Sequence, residues 1–163
     1  MAEIPSKVAD LLVAQIHNEL YSHMAYLAMA SYFEDAAYNG FAKWMRSQAM
    51  EEHSHAMKFL DYLYDRGVTV VLKGIQAPPT GFSSPLGVFK AAYAQEQAVT
   101  KMIYDIYEAA QSAKDFGTLE FLNWFLKEQV EEEDSTSNMV ERLTLAGNST
   151  EAILRLDHEA GAE

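Results

Sequence analysis

The chain has 163 residues, 49% of them apolar and 22% charged, which suits one domain with a single sizeable core and excludes disordered or collagen-like classes. Twelve basic residues against twenty-four acidic ones leave a formal charge of −12, which repels nucleic acid and attracts cations. No apolar run approaches the ~18 residues of a membrane span, and the absence of cysteine excludes disulfides, thiolate metal sites and thiol catalysis.

The opening Met1-Ala2-Glu3-Ile4-Pro5 has neither the basic nor the apolar stretch of a secretory signal, so a soluble, cytoplasmic protein is expected. Helical apolar spacing then runs over about residues 5–38, with Pro5 in the first turn. Asn39-Gly40 interrupts it, and a second helix is expected over 41–66, stopped by Gly67. Residues 67–84 form a link of 18 residues. At ~3.3 Å per residue such a link can run the length of a helix and start the next one at the same end as the last. Ser84-Pro85 reads as an N-cap followed by proline at the first position of a third helix, 85–114. A fourth is expected over 118–146 after Gly117, and a short fifth over 150–160 from an Asn148 cap with Glu151 three residues on. Short links make antiparallel hairpins of the first two and the next two helices. The expectation is an all-α four-helix bundle with one long crossover.

Each long helix carries an apolar stripe at spacings of three and four, and each stripe is broken near its midpoint by side chains that can bind metal. These are Glu19 in the first helix, Glu52 and His55 in the second, Glu96 in the third, and Gln129 and Glu132 in the fourth. Buried carboxylates without compensation are costly, and no Lys or Arg lies on the stripes at that level. A cation is therefore needed, and oxygen-rich ligands with one imidazole suit iron, manganese or zinc. Four carboxylates, one imidazole and one amide exceed what one ion requires, so two metals are the natural count. A lone Glu-x-x-His is usually a surface accident; the coincidence of depth in four helices carries this reading. His23, one turn from Glu19, reads as a core histidine. His17, His158 and most of Glu131-Glu132-Glu133-Asp134 read as solvated.

The segments Asn18-Glu19-Leu20-Tyr21-Ser22 with Tyr26, Glu51-Glu52-His53-Ser54-His55, Glu96-Gln97, and Trp124 followed by Glu128-Gln129-Val130-Glu131-Glu132 resemble those of bacterial non-haem ferritins. The resemblance covers nearly the whole chain and implies one ferritin-like di-iron domain over 1–163, with the short fifth helix at its end. It implies that Glu19, Glu52, His55 and Glu96 hold one iron, and that Glu52 bridges to a second held also by Glu96, Gln129 and Glu132. It further implies a third iron position at Glu51, Glu128 and Glu131, and aromatic one-electron donors at Tyr26 and Trp124. The implied function is iron storage. Fe(II) would be oxidised by dioxygen or hydrogen peroxide and kept as ferric mineral inside a hollow homo-oligomer of 24 subunits. Bacterioferritins repeat Glu-x-x-His on the fourth helix, where this chain has Gln129-x-x-Glu132, and His53 stands at their haem-ligating methionine position. No haem is therefore expected, and neither nucleic acid nor membrane as partner. Two other readings stay open at this point: a di-iron oxygenase or peroxidase acting on an organic substrate, and a metal-free helical scaffold.

Overall fold

The computed structural model describes residues 2–163. They form α1 (Ser6–Asp35), α2 (Asn39–Asp65), α3 (Pro85–Ser112), α4 (Phe116–Ala146) and α5 (Thr150–Ala162), with no strand among the described residues. No helix is long and apolar enough to cross a membrane.

The helix ends differ from the expected ones for local reasons. Pro5 precedes α1 with an extended ψ of 137° instead of sitting in its first turn. The first helix stops at Asp35, three residues early, because the chain closes a Schellman turn: Tyr38 N–H donates to Phe33 C=O at 2.8 Å and Ala37 N–H to Glu34 C=O at 3.2 Å. The same pair of bonds ends α2 at Leu63 and Tyr64, and α3 at Ala110 and Gln111. The left-handed residue of the turn is Gly67 in α2, as expected, but Ala37 (φ 64°) and Lys114 (φ 57°) in the other two. The second helix starts at Asn39 because the carboxylate of Asp157, from α5, accepts from Phe41 N–H at 2.7 Å and serves as the cap. Asp115 caps α4, which therefore begins two residues before the expected Thr118, and Ser149 instead of Asn148 caps α5 through Ala152 N–H. Ser84 caps α3 as expected, accepting from Gly87 N–H at 3.0 Å.

The α1/α2 and α3/α4 hairpins are antiparallel, and residues 66–84 carry the chain back along the bundle, so that α3 runs parallel to α2. His17 pins this crossover. Its Nδ1–H donates to Val13 C=O at 2.9 Å, and its Nε2 accepts from the backbone N–H of Lys73 at 2.8 Å. His17 is thus a strap residue, where a solvated face was expected, because both ring nitrogens are engaged. α5 folds back against α2 and α4. Backbone meets backbone there: a methyl group at Gly161 would lie 2.8 Å from Gly40 Cα.

Two apolar clusters fill the bundle. One gathers Tyr26, Phe33, Phe41, Met45, Phe89, Leu143 and Leu156 at the end where α5 docks. The other gathers Leu12, Ile16, Phe59, Leu63, Ile103, Leu122 and Phe125 at the opposite end. Glu19, Glu52, Glu96 and Glu132 lie between them in sequence and in space, so a polar layer divides the core.

Candidate metal centre

Glu19, Glu52, His55, Glu96, Gln129 and Glu132 are all buried, at 0–4% exposure, and no Lys or Arg is buried among the described residues. Three groupings of possible ligand atoms lie within 4.8 Å of one another: Glu19, Glu52 and His55; Glu52, Glu96 and Glu132; and His55, Glu128 and Glu132. Glu52, His55 and Glu132 each belong to two of these groupings, so the layer is one continuous set of possible ligands drawn from all four long helices.

Hydrogen bonds hold some atoms of this layer and leave others bare. Gln15 Nε2 donates to Glu19 Oε1 at 3.1 Å, and Gln48 Nε2 donates to Glu132 Oε2 at 2.7 Å. Glu96 accepts from the Tyr26 hydroxyl at 2.6 Å and from Gln129 Nε2 at 3.3 Å. By contrast Glu19 Oε2, both oxygens of Glu52 and His55 Nδ1 are buried with no hydrogen-bond partner. They converge: His55 Nδ1 lies 3.6 Å from Glu52 Oε2 and 3.9 Å from Glu19 Oε2. Orphaned buried acceptors are expensive and rare, and a divalent cation among them would supply what each lacks.

Protonation tells the same story. Burial, reinforced by Glu52, pushes the Glu19 carboxyl well above the usual carboxylate range. Burial and the charge of Glu96 do the same to Glu52. Burial raises Glu132 to about 9, with Glu96 and Glu51 adding to it. Burial also raises Glu96, against the opposing pull of the Tyr26 and Gln129 hydrogen bonds. Burial thus favours the protonated form of these carboxyls, Glu132 above all, and a bound cation would displace those protons.

The remaining predicted residues are placed less simply. Gln129 turns its amide N–H toward Glu96 and Thr100, so it orients the Glu96 carboxylate; ligation requires the amide to swing its carbonyl oxygen round. Glu128 is half-buried, with Oε1 3.9 Å from His55 Nε2. Glu51 is exposed but near enough to Glu132 to raise its pKa, whereas Glu131 is exposed and outside all three groupings. Tyr26 is fully buried. Trp124 is 41% exposed, 5.4 Å from the His55 ring between centroids, and carries the Lys58 ammonium 3.2 Å over its face. His23 is not a core residue: it is half-buried and pairs with His53 across the α1/α2 seam, 5.5 Å between centroids. Gln15, Gln48 and Thr100 were not assigned roles from sequence. Gln15 and Gln48 lie one turn before Glu19 and Glu52, and Thr100 one turn after Glu96; that spacing is the signal they carry.

An apolar cavity of about 330 Å³ between α1 and α3 is lined by Ser22, Ala25, Met29, Phe82, Val99 and Met102 among others.

Fold and site together define a helical bundle whose core is crossed by a carboxylate-rich layer with the side chains to hold a cation. The sequence model of the ferritin-like domain matches residues 9–146, and the chain belongs to the ferritin family. It is 44% identical to a bacterial non-haem ferritin of Staphylococcus haemolyticus over 156 residues, covering 94% of each chain. A bacterial non-haem ferritin of Staphylococcus aureus is 38% identical over 159 residues, covering 98% of this chain and 96% of that one. The open-pore ferritin of the archaeon Archaeoglobus fulgidus superposes with a TM-score of 0.98 at 44% identity, covering 100% of this chain and 99% of that one.

Proposed function

We propose that the protein is a cytoplasmic iron-storage ferritin with ferroxidase activity. The observation that supports this most directly is the set of orphaned ligand atoms on Glu19, Glu52 and His55 in a core with no buried Lys or Arg among the described residues. In this reading two Fe(II) ions are the substrates. Glu19, Glu52 and His55 receive one; Glu52, Glu96 and Glu132 receive the other, with Gln129 joining once its amide turns. Each iron gives one electron. Together they reduce dioxygen to hydrogen peroxide, or hydrogen peroxide to two waters, with two protons taken up in either case. The fixed carboxylates offset the added charge on the oxidised pair. Gln15, Gln48 and Tyr26 hold the ligands in place, so little reorganisation accompanies the change.

Glu128 beside His55, with Glu51 near Glu132 and Glu131 one turn away on the surface, forms the path by which the product moves on and the region of a third, weaker iron position. The oxidised iron accumulates as mineral in a 24-subunit homo-oligomeric cage, and haem has no part in the function. The test is aerobic titration of the metal-free protein with Fe(II), following near-ultraviolet absorbance and particle mass together. Fast oxidation in a large hollow particle supports the proposal, and Glu52→Ala removes the fast phase. The apolar cavity beside Ser22 and Val99, one turn from Glu19 and Glu96, favours a second reading, a small oxygenase of organic substrates. A compact monomer or dimer that stores no iron decides for it.

A further inference from the structure

Four of the five histidines fall into two contrasting arrangements near the bundle surface and one at its centre. His55 belongs to the carboxylate layer, and His17 straps the crossover with both nitrogens engaged. His23 and His53 are engaged by neither. His23 Nδ1 lies 2.6 Å from the carbonyl oxygen of Ala49 on α2. A carbonyl only accepts, so Nδ1 carries the proton and Nε2 keeps a bare lone pair. At His17 the equivalent lone pair is used by Lys73 N–H. At His23 no donor among the described residues meets it, and the ring facing it is that of His53, which is exposed.

We propose that His23 and His53 form a second metal site, separate from the carboxylate centre, that takes a borderline divalent ion such as Cu(II), Zn(II) or Ni(II). Three observations support it. A ligating histidine characteristically donates its other ring N–H to a backbone carbonyl, which fixes the tautomer and aims the lone pair; His23 does this across two helices. The spacing suits one shared ion. With metal–nitrogen bonds of about 2.0–2.1 Å, two imidazoles at a tetrahedral angle have centroids about 5.2 Å apart, and a trans pair, as across a haem, more than about 6 Å. The observed separation is 5.5 Å with the rings inclined at 62°. The ligand chemistry also differs in kind from that of the core. Paired imidazoles without a carboxylate favour copper, zinc or nickel, whereas the oxygen-rich layer favours iron or manganese. The two sites therefore divide metals by ligand type within one subunit, with the remaining positions at the histidine pair open to water or exogenous donors.

The experiment is substoichiometric Cu(II) titration of the assembled metal-free protein, read by electron paramagnetic resonance with resolution of nitrogen couplings. The carboxylate centre holds one imidazole and the proposed site two, so the spectra are distinguishable. The wild type is expected to show a two-nitrogen copper species. His23→Ala and His53→Ala should each remove it, lower the affinity for the first copper by about tenfold or more, and leave Fe(II) oxidation unchanged. His53→Ala is an exposed substitution, so it tests the site even if His23→Ala folds poorly. A two-nitrogen signal that survives in His53→Ala, or a wild-type spectrum with only one coupled nitrogen, overturns the proposal.

Discussion

The Tyr26 hydroxyl donates to Glu96 Oε1 at 2.6 Å, tying α1 to α3 through a carboxylate that also accepts from Gln129 on α4. Burial and the charge of Glu96 hold the phenol well above its usual range, so the hydroxyl keeps its proton and remains a donor at every physiological pH. Tyr26→Phe leaves a buried carboxylate oxygen without that donor. The metal-free variant is expected to lose about 1–3 kcal/mol of stability, measured as a lower denaturant midpoint at constant slope. An unchanged midpoint would show that the Glu96 carboxylate is held by Gln129 alone.

Glu52 and His55 should cost the metal-free fold more than they return. Both Glu52 oxygens and His55 Nδ1 are buried without partners. Replacing buried ionisable groups with apolar ones of similar size is often neutral or stabilising by about 1–4 kcal/mol. The double variant Glu52→Leu, His55→Leu is therefore expected to unfold at the same temperature as the metal-free wild type or higher, while losing rapid Fe(II) oxidation. Added divalent metal should stabilise the wild type and barely affect the variant. Calorimetry under anaerobic conditions checks both; a markedly lower unfolding temperature for the metal-free variant would mean these side chains are structural first.

Metal-free stability should fall as pH rises. Glu132 is raised from 4.5 to about 9, and Glu19, Glu52 and Glu96 are raised as well. Such groups bind protons in the folded state that the unfolded chain has already released. Their contribution is thus complete below the unfolded value and disappears as pH climbs through the folded one, at up to about 1.4 kcal/mol per pH unit for one group. Asp115 works in the other direction. Burial pushes it up, but the Thr118 hydrogen bond and the Arg66 guanidinium outweigh that and hold it below its ordinary value, so its contribution is lost in strong acid. A metal-free optimum near about pH 5 follows. With Zn(II) bound, the dependence should reverse across the same range, since the ion competes with protons for the same oxygens. Unfolding temperatures of both forms between pH 4 and 9 give the comparison.

Three helices end in the same Schellman turn, and only one has glycine in the left-handed position. Ala37→Gly and Lys114→Gly should each stabilise the protein by about 1 kcal/mol by relieving a side chain held at positive φ, and Gly67→Ala should destabilise it by a similar amount. At Gly67 nothing lies within 4 Å of an added methyl, so the effect there is one of backbone conformation alone. Denaturant midpoints of the three variants settle the sign.

These helix ends mark the boundary of what the amino-acid order reveals. A period of three and four residues places Glu19, Glu52, His55, Glu96 and Glu132 on core faces whatever the neighbouring helices do, so the carboxylate layer is readable one helix at a time. Gly67 and Ser84 are readable because their preference is local. Ala37 and Lys114 are not, since neither favours positive φ and only the packing of the hairpins forces it on them. The Asp157 cap on α2 is also hidden, because its partner is 116 residues away. His17 and His23 look alike in sequence, six residues apart on one helix. Their roles separate only when the crossover backbone reaches one of them and not the other.

The divided core also bears on motion. Each apolar cluster can hold its own half of the bundle together, while the level between them has few hydrogen bonds and several buried polar atoms without partners. Local opening should therefore begin at the waist of the molecule and not at its ends. A bound ion acts there as a rivet through four helices, turning two loosely joined halves into one cooperative unit. Amide hydrogen exchange should register this as slower exchange around Glu19, Glu52, Glu96 and Gln129 on loading, with the Phe33 and Phe59 neighbourhoods already slow without metal.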